Sequence, residues 1–161
     1  SMKTAIVAGS FDPVTLGHVE LFRRAAGLFD RIIVGAVVNA EKHYCFTPEE
    51  RLAFIQDAIR DIPNAQAVFF GGMLYDLIHE TGACALVKGI RAPEDVPYEI
   101  EQADFNRLHA PECETVFLPA LPGMEHLSST FVKEQCRLHH DISACVTPMV
   151  AQALIQRFNK E

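Results

Sequence analysis

Five short runs rich in Val, Ile, Phe and Ala recur along the chain, at Thr4–Ala8, Arg31–Val38, Ala65–Phe70, Ala83–Lys88 and Thr115–Leu118, mostly without polar alternation. A strand with one face in water alternates apolar and polar residues, whereas a strand covered on both faces reads as an unbroken apolar run. Between the runs the pattern becomes that of amphipathic helices, over Gly17–Phe29, Pro48–Asp61, Met73–Thr81 and Pro97–His109. Two more helical stretches, near Ser128–His139 and Pro148–Phe158, end the chain. Strand, helix, strand at this spacing requires right-handed crossovers and a parallel sheet.

The expected fold is therefore α/β: a Rossmann-like parallel five-stranded sheet with helices on both faces and a helical C-terminus. No linker, repeat or low-complexity tract divides it, and 161 residues suit one domain with a full core. That domain is taken as residues 2–161, with Ser1 read as a cloning remnant. One helix start is legible in detail. Thr47 suits an N-cap, Pro48 the first helical position, and Glu50 the far side of a capping box.

Composition narrows the function. Apolar residues make up 49% and charged residues 22%, as in ordinary soluble domains. The longest apolar run, Ile32 to Val38, is too short to cross a bilayer, and no basic, apolar leader is visible, so a cytoplasmic location and no membrane partner are expected. The formal net charge is −7 with no Lys/Arg-rich stripe, which argues against a nucleic-acid partner. A small anion remains possible, because a few cations in one pocket outweigh a distant acidic surface. Cys45, Cys84, Cys113, Cys136 and Cys145 form no C-x-x-C pair and lack a zinc-like His cluster. They read as reduced thiols, and no protein-held metal is expected.

In such a sheet, ligands bind beyond the carboxyl ends of the strands. The first run ends in Gly9-Ser10-Phe11-Asp12-Pro13-Val14-Thr15-Leu16-Gly17-His18. Its glycines let a ligand approach the backbone, and it opens a helix whose first N–H groups attract phosphate. It matches neither the dinucleotide fingerprint nor the P-loop. Thr15 and His18, three apart on the first turn, can face one anion; equally, this can be a plain strand–helix junction with Asp12 as a cap. Lys42 follows the second run, and can be a solvated charge. Lys88-Gly89-Ile90-Arg91 ends the fourth, where Arg91 can pair with Glu94 or Asp95. Ser128-Ser129 can be only a helix cap, Glu99 can face solvent, and Met73 and Leu74 can be core residues.

The first of these segments resembles the nucleotidyltransferase signature His/Thr-x-Gly-His, here Thr15-Leu16-Gly17-His18 after Gly-Ser-Phe-Asp-Pro. The Lys88–Arg91 stretch, with Tyr98-Glu99 and Asn106-Arg107 following, resembles the Arg/Lys-Gly-Leu/Ile-Arg segment of the phosphopantetheine adenylyltransferases. Lys42, and Leu127-Ser128-Ser129-Thr130 with Lys133-Glu134, fit the same family, and the likeness runs from Lys3 to about Phe158. Departures are Val7-Ala8 for the usual Tyr-Pro, Met124-Glu125-His126 for an aromatic followed by Ser-Phe, and Pro97 before Tyr98. These fall around the adenine rather than the phosphates.

The resemblance implies transfer of AMP from ATP to 4′-phosphopantetheine, giving dephospho-coenzyme A and pyrophosphate, in a homohexamer. The acceptor is already anionic, so positioning and electrostatics carry the catalysis. His18 is implied as stabiliser of charge at the α-phosphate, with Lys42 at the acceptor phosphate and Arg91 as a fork on the β- and γ-phosphates. ATP is implied at Ser10, Phe11, Thr15, His18, Gly89, Ile90, Arg91, Tyr98 and Glu99, and along Met124, Glu125, His126, Leu127, Ser128, Ser129 and Thr130. The acceptor is implied at Ser10, Lys42, Leu74, Lys88, Asn106 and Glu134. Mg2+ is expected on the ATP phosphates. Two other classes remain: a nicotinate or nicotinamide mononucleotide adenylyltransferase or glycerol-phosphate cytidylyltransferase, and a non-catalytic module such as a receiver or flavodoxin-like domain.

Overall fold

A computed structural model describes residues 1–158. Its sheet consists of β1 (Thr4–Gly9), β2 (Arg31–Val37), β3 (Ala65–Phe70), β4 (Ala85–Ile90) and β5 (Glu114–Pro119), all parallel, in the order β3-β2-β1-β4-β5. The helices are α1 (Leu16–Leu28), α2 (Pro48–Ala58), α3 (Leu74–Thr81), α4 (Val96–His109), α5 (Ser129–Arg137) and α6 (Pro148–Phe158), with a 3-10 turn at Pro93–Asp95 before α4. The α/β architecture with a helical C-terminus is as the residue pattern predicts.

The two-residue period of the strands divides the core. Ala5, Val7, Ile32, Val34, Ala85 and Val87 face one side and meet Val19, Phe22 and Ala25 of α1, Phe54 and Ile55 of α2, Val132 of α5, and Val150 and Leu154 of α6. Ile6, Ile33 and Leu86 face the other, against Leu77 and Ile78 of α3 and the Ala110–Cys113 turn. Helix α4 contributes no buried residue to either layer.

The caps behave largely as read. Thr47 accepts the Glu50 N–H at 3.1 Å while the Glu50 carboxylate accepts the Thr47 N–H at 2.9 Å, with Pro48 at the first position. Helix α2 ends at Ala58 rather than Asp61, and β4 begins at Ala85 rather than Ala83. Gly82 (φ +68°) ends α3 in the left-handed conformation, and both its N–H and that of Ala83 donate to the Ile78 carbonyl. Ala83 is buried as a strand residue would be, but it belongs to the helix cap.

Candidate active site

The β1–β2 ladder runs to Gly9↔Ala36, but β1 and β4 pair only at Ala5↔Ala85 and Ile6↔Leu86. Past those pairs the ladder stops, at the point where strand order reverses, which is where an open α/β sheet takes its ligands. A cavity of about 240 Å3 opens there, lined by Gly9, Ser10 and Phe11 after β1, His18, Glu20, Leu21 and Arg24 of α1, Lys88, Gly89 and Arg91 of β4 and its end, Glu99 of α4, and Met124, Leu127, Ser128 and Ser129 before and at α5. A second cavity of about 100 Å3 draws on the Ile6 and Leu86 side, with Leu74, Tyr98, Gln102 and Asn106. Ala8, Lys88 and Glu99 line both.

His18 is set by its own helix start. The Thr15 N–H donates to His18 Nδ1 at 2.9 Å, and the His18 N–H donates to Thr15 Oγ1 at 3.3 Å. This is a capping box in which an imidazole stands where Glu or Gln is usual. Because Nδ1 accepts, the neutral ring carries its proton on Nε2. Burial, reinforced by the nearby Arg91 guanidinium, lowers the His18 pKa to about 4. At neutral pH the cavity therefore meets an uncharged Nε2–H donor.

Thr15 has another place than the one expected from spacing. It is buried, and its hydroxyl donates to the Leu127 carbonyl at 2.9 Å, so it orients His18 and ties α1 to the loop before α5 rather than facing an anion. Phe11 buttresses the same imidazole edge-on, with centroids 5.0 Å apart, and packs likewise on Phe22. Phe11 has φ +47°, a left-handed conformation that costs a bulky residue of order 1–3 kcal/mol and that tends to occur at functional sites. A Cβ on Gly9 would stand 3.0 Å from the Phe11 ring, which would have to shift by a few tenths of an ångström to admit it.

The cations surround the gap. Lys88 Nζ lies 3.3 Å from Glu99 Oε1, whose side chain is only 15% exposed. That oxygen is buried and makes no well-aligned hydrogen bond, so the carboxylate keeps acceptor capacity for a ligand N–H or hydroxyl. Glu99 thus faces the site, not solvent. Asp95 accepts the backbone N–H groups of Arg91 and Ala92, at 2.9 and 3.1 Å. The Arg91 guanidinium makes no ion pair among the described residues. Ser128 is indeed the N-cap of α5, accepting the Phe131 N–H at 3.0 Å, and Ser129 Oγ donates to the Pro13 carbonyl at 2.8 Å. The Ser129 and Thr130 N–H groups begin α5, where an anion is favoured.

Leu74 and Asn106 line the second cavity, and so does Tyr98, which the resemblance had grouped with the nucleotide. Lys42, Ile90, Glu125, His126, Thr130 and Glu134 line neither cavity. Ile90 uses its carbonyl to accept the Ala120 N–H. Glu125 folds back on the Gly123 N–H at 2.7 Å, His126 packs edge-on to Phe131, and Glu134 lies exposed, 3.9 Å from Arg137. Lys42 sits on the exposed loop after β2, one strand away from the gap.

Spacing alone missed three features. Arg24 lines the larger cavity and donates to the Pro119 carbonyl at 2.7 Å. Asp12 accepts the Cys45 and Phe46 N–H groups, at 2.7 and 2.9 Å, pinning the β2–α2 loop to the β1 turn. Arg51 is fully buried, at the head of the α2 stripe formed with Phe54, Ile55 and Ala58. An arginine in an apolar helical register was the available signal.

A helix-start imidazole donor, cations at the end of β4 and an open helix N-terminus thus gather around one reversal point, an arrangement suited to a nucleotide's phosphates. The family model described as cytidylyltransferase-like matches residues 6–135. The chain is 38% identical over 159 residues to the phosphopantetheine adenylyltransferase of Caldanaerobacter subterraneus subsp. tengcongensis, covering 99% of each, and 40% identical over 156 residues to that of Alkaliphilus metalliredigens, covering 97% of this chain and 99% of the relative. It belongs to the phosphopantetheine adenylyltransferase family. The fold is also that of the bifunctional NMN adenylyltransferase/ADP ribose pyrophosphatase from Francisella tularensis, with a TM-score of 0.72 at 12% identity, over 100% of this chain and 51% of that one.

Proposed function

We propose that the protein transfers AMP from ATP to 4′-phosphopantetheine, giving dephospho-coenzyme A and pyrophosphate in coenzyme A biosynthesis. The observation that carries this is the shared wall of the two cavities. Lys88 and Glu99 stand between a larger, cation-lined cavity of nucleotide character and a smaller one with Leu74, Tyr98 and Asn106. A reaction that joins two anionic substrates needs a cation where their phosphates meet, and Lys88 occupies that place.

An acceptor phosphate oxygen forms the new bond to the α-phosphorus, and the bond to the bridging oxygen breaks, so that pyrophosphate leaves with that oxygen. The acceptor needs no base. His18 Nε2–H donates to an α-phosphate oxygen as charge grows there. Arg91 grips the β- and γ-phosphates with parallel donors, and the N-terminus of α5 receives the departing pyrophosphate. Lys42 reaches the acceptor phosphate on its flexible stem.

Among the described residues, no group of three or more His, Cys, Asp and Glu side chains could hold a metal ion. Mg2+ would be carried mainly on the triphosphate, where it would neutralise phosphate charge. The described residues contain no helix long and apolar enough to cross a membrane; we place the reaction in the cytoplasm. Helix α4 adds no fully buried residue to the core, yet exposes Tyr98 (63%), Phe105 (43%) and Leu108 (77%). Such a face suits burial against other copies in a closed homohexamer.

The test is pyrophosphate release from ATP across an acceptor panel. Release with 4′-phosphopantetheine is expected. Release with nicotinamide mononucleotide instead would move the protein to another branch of the superfamily.

A further inference from the structure

The loop that carries Lys42 is fastened at both ends. At its far end the Asp12 carboxylate accepts the Cys45 and Phe46 N–H groups. At its near end the Asn39 N–H donates to the Tyr44 hydroxyl at 3.2 Å, Asn39 Oδ1 accepts the Glu41 N–H at 3.0 Å, and the Asn39 carbonyl accepts the Lys42 N–H at 3.1 Å. The Tyr44 ring faces a cation, with the Arg51 guanidinium carbon 3.9 Å from its centroid.

Arg51 is an unusual foundation. Its side chain is fully buried, makes no ion pair among the described residues, and leaves Nε and Nη2 without hydrogen-bond partners. Burying an arginine without a carboxylate is expensive unless its remaining contacts repay it. Those contacts are two carbonyls, Ser10 after β1 and Val37 at the end of β2, each 2.8 Å from Nη1. One nitrogen thus fixes the separation of the two strand ends, and the face of the same group seats Tyr44.

We propose that Tyr44 and Arg51 are positioning residues that hold Lys42 in register with Ser10, and so set how the acceptor phosphate is met. The inference rests on the reading of Lys42 as the residue that engages that phosphate. Neither Tyr44 nor Arg51 touches substrate. They act through the Asn39–Lys42 turn, to which Tyr44 is joined by the hydroxyl that accepts the Asn39 N–H while its ring rests on Arg51. A loop misplaced by about 1 Å can cost a reaction as much as 10²-fold, which makes such a clip worth the burial of a cation.

The experiment compares Tyr44→Ala, Tyr44→Phe, Lys42→Met and the Tyr44→Ala/Lys42→Met pair in steady-state kinetics with ATP and 4′-phosphopantetheine, alongside thermal melts. Tyr44→Ala should raise KM for the acceptor roughly tenfold, with KM for ATP and the melting temperature near wild type. Tyr44→Phe keeps the ring on Arg51 but removes the hydroxyl that accepts the Asn39 N–H, and should reproduce most of the rise in acceptor KM. The paired variant should be no worse than Lys42→Met alone, because the clip acts only through that lysine. An unchanged acceptor KM in Tyr44→Ala, an equal rise for both substrates, or penalties that multiply in the pair would overturn the clip while leaving Lys42 in place. Normal acceptor kinetics in Lys42→Met would instead withdraw the role of Lys42, and the clip with it.

Discussion

The Thr15 N–H donates to His18 Nδ1 at 2.9 Å, and this bond fixes which nitrogen of the imidazole faces the cavity with a proton. The same threonine accepts the His18 N–H and donates its hydroxyl to Leu127. Tautomer, ring orientation and the approach of the α5 loop are thereby decided by one residue that does not line the cavity. A neutral donor suits charge that develops on a phosphate oxygen, because it needs no proton transfer.

The His18 titration follows from that arrangement. Its folded pKa, about 4, lies below the unfolded value of 6.5. Between those limits the unfolded chain binds a proton that the folded chain refuses, so stability falls as pH drops from 6.5 toward 4, by at most about 1.4 kcal/mol per pH unit. Nitrogen-15 spectra of the free protein should show Nε2 protonated and Nδ1 bare from pH 8 to pH 5. A ring that protonates near pH 6.5 would contradict the assignment.

Arg91 tests the electrostatic account at the other end of the cavity. Its guanidinium is unclaimed by Glu94 or Asp95, since Asp95 is spent on backbone N–H groups. Arg91→Lys keeps the charge but loses the two-pronged geometry. ATP binding by calorimetry should weaken and turnover should slow, while the melting temperature stays within a degree or two of wild type. Wild-type affinity and rate would mean that this arginine does not hold the triphosphate.

The fold was legible because β1 and β2, in the middle of the sheet, are covered on both faces and therefore read as unbroken apolar runs. Where legibility failed, a local hydrogen bond had decided the matter. Ala83 looks like strand but gives its N–H to the α3 cap. Thr15 and His18 have the spacing of joint ligands, but nothing in spacing says that the pair closes on itself as a capping box. The Lys88–Glu99 contact depends on α4 folding back over β4, a tertiary fact beyond any local pattern. Arg51 was visible only as an arginine in line with Phe54, Ile55 and Ala58. Its meaning comes from two carbonyls brought together by the sheet.

The proposed assembly rests on the exposed α4 face. Sedimentation at micromolar concentration should give a species well above the 17.9 kDa of one chain. Leu108→Glu places a charge on the most exposed apolar side chain of that helix and should shift the distribution toward smaller species without unfolding them. A wild-type protein that sediments as a monomer at every concentration would remove the proposed hexamer.

The most direct measurement is the turnover of His18→Ala with ATP and 4′-phosphopantetheine, read as pyrophosphate release and accompanied by ATP titration of the same variant. If the Nε2–H bond forms chiefly as charge develops on the α-phosphate, losing it should slow turnover by roughly 10²–10³-fold. ATP affinity should change little, because Arg91, Lys88 and the start of α5 still hold the phosphates. Removing the imidazole also frees the Thr15 N–H, so a melting curve must accompany the rate to show that α1 stays in place. A folded, ATP-binding His18→Ala protein that turns over at close to the wild-type rate would contradict the account at its centre.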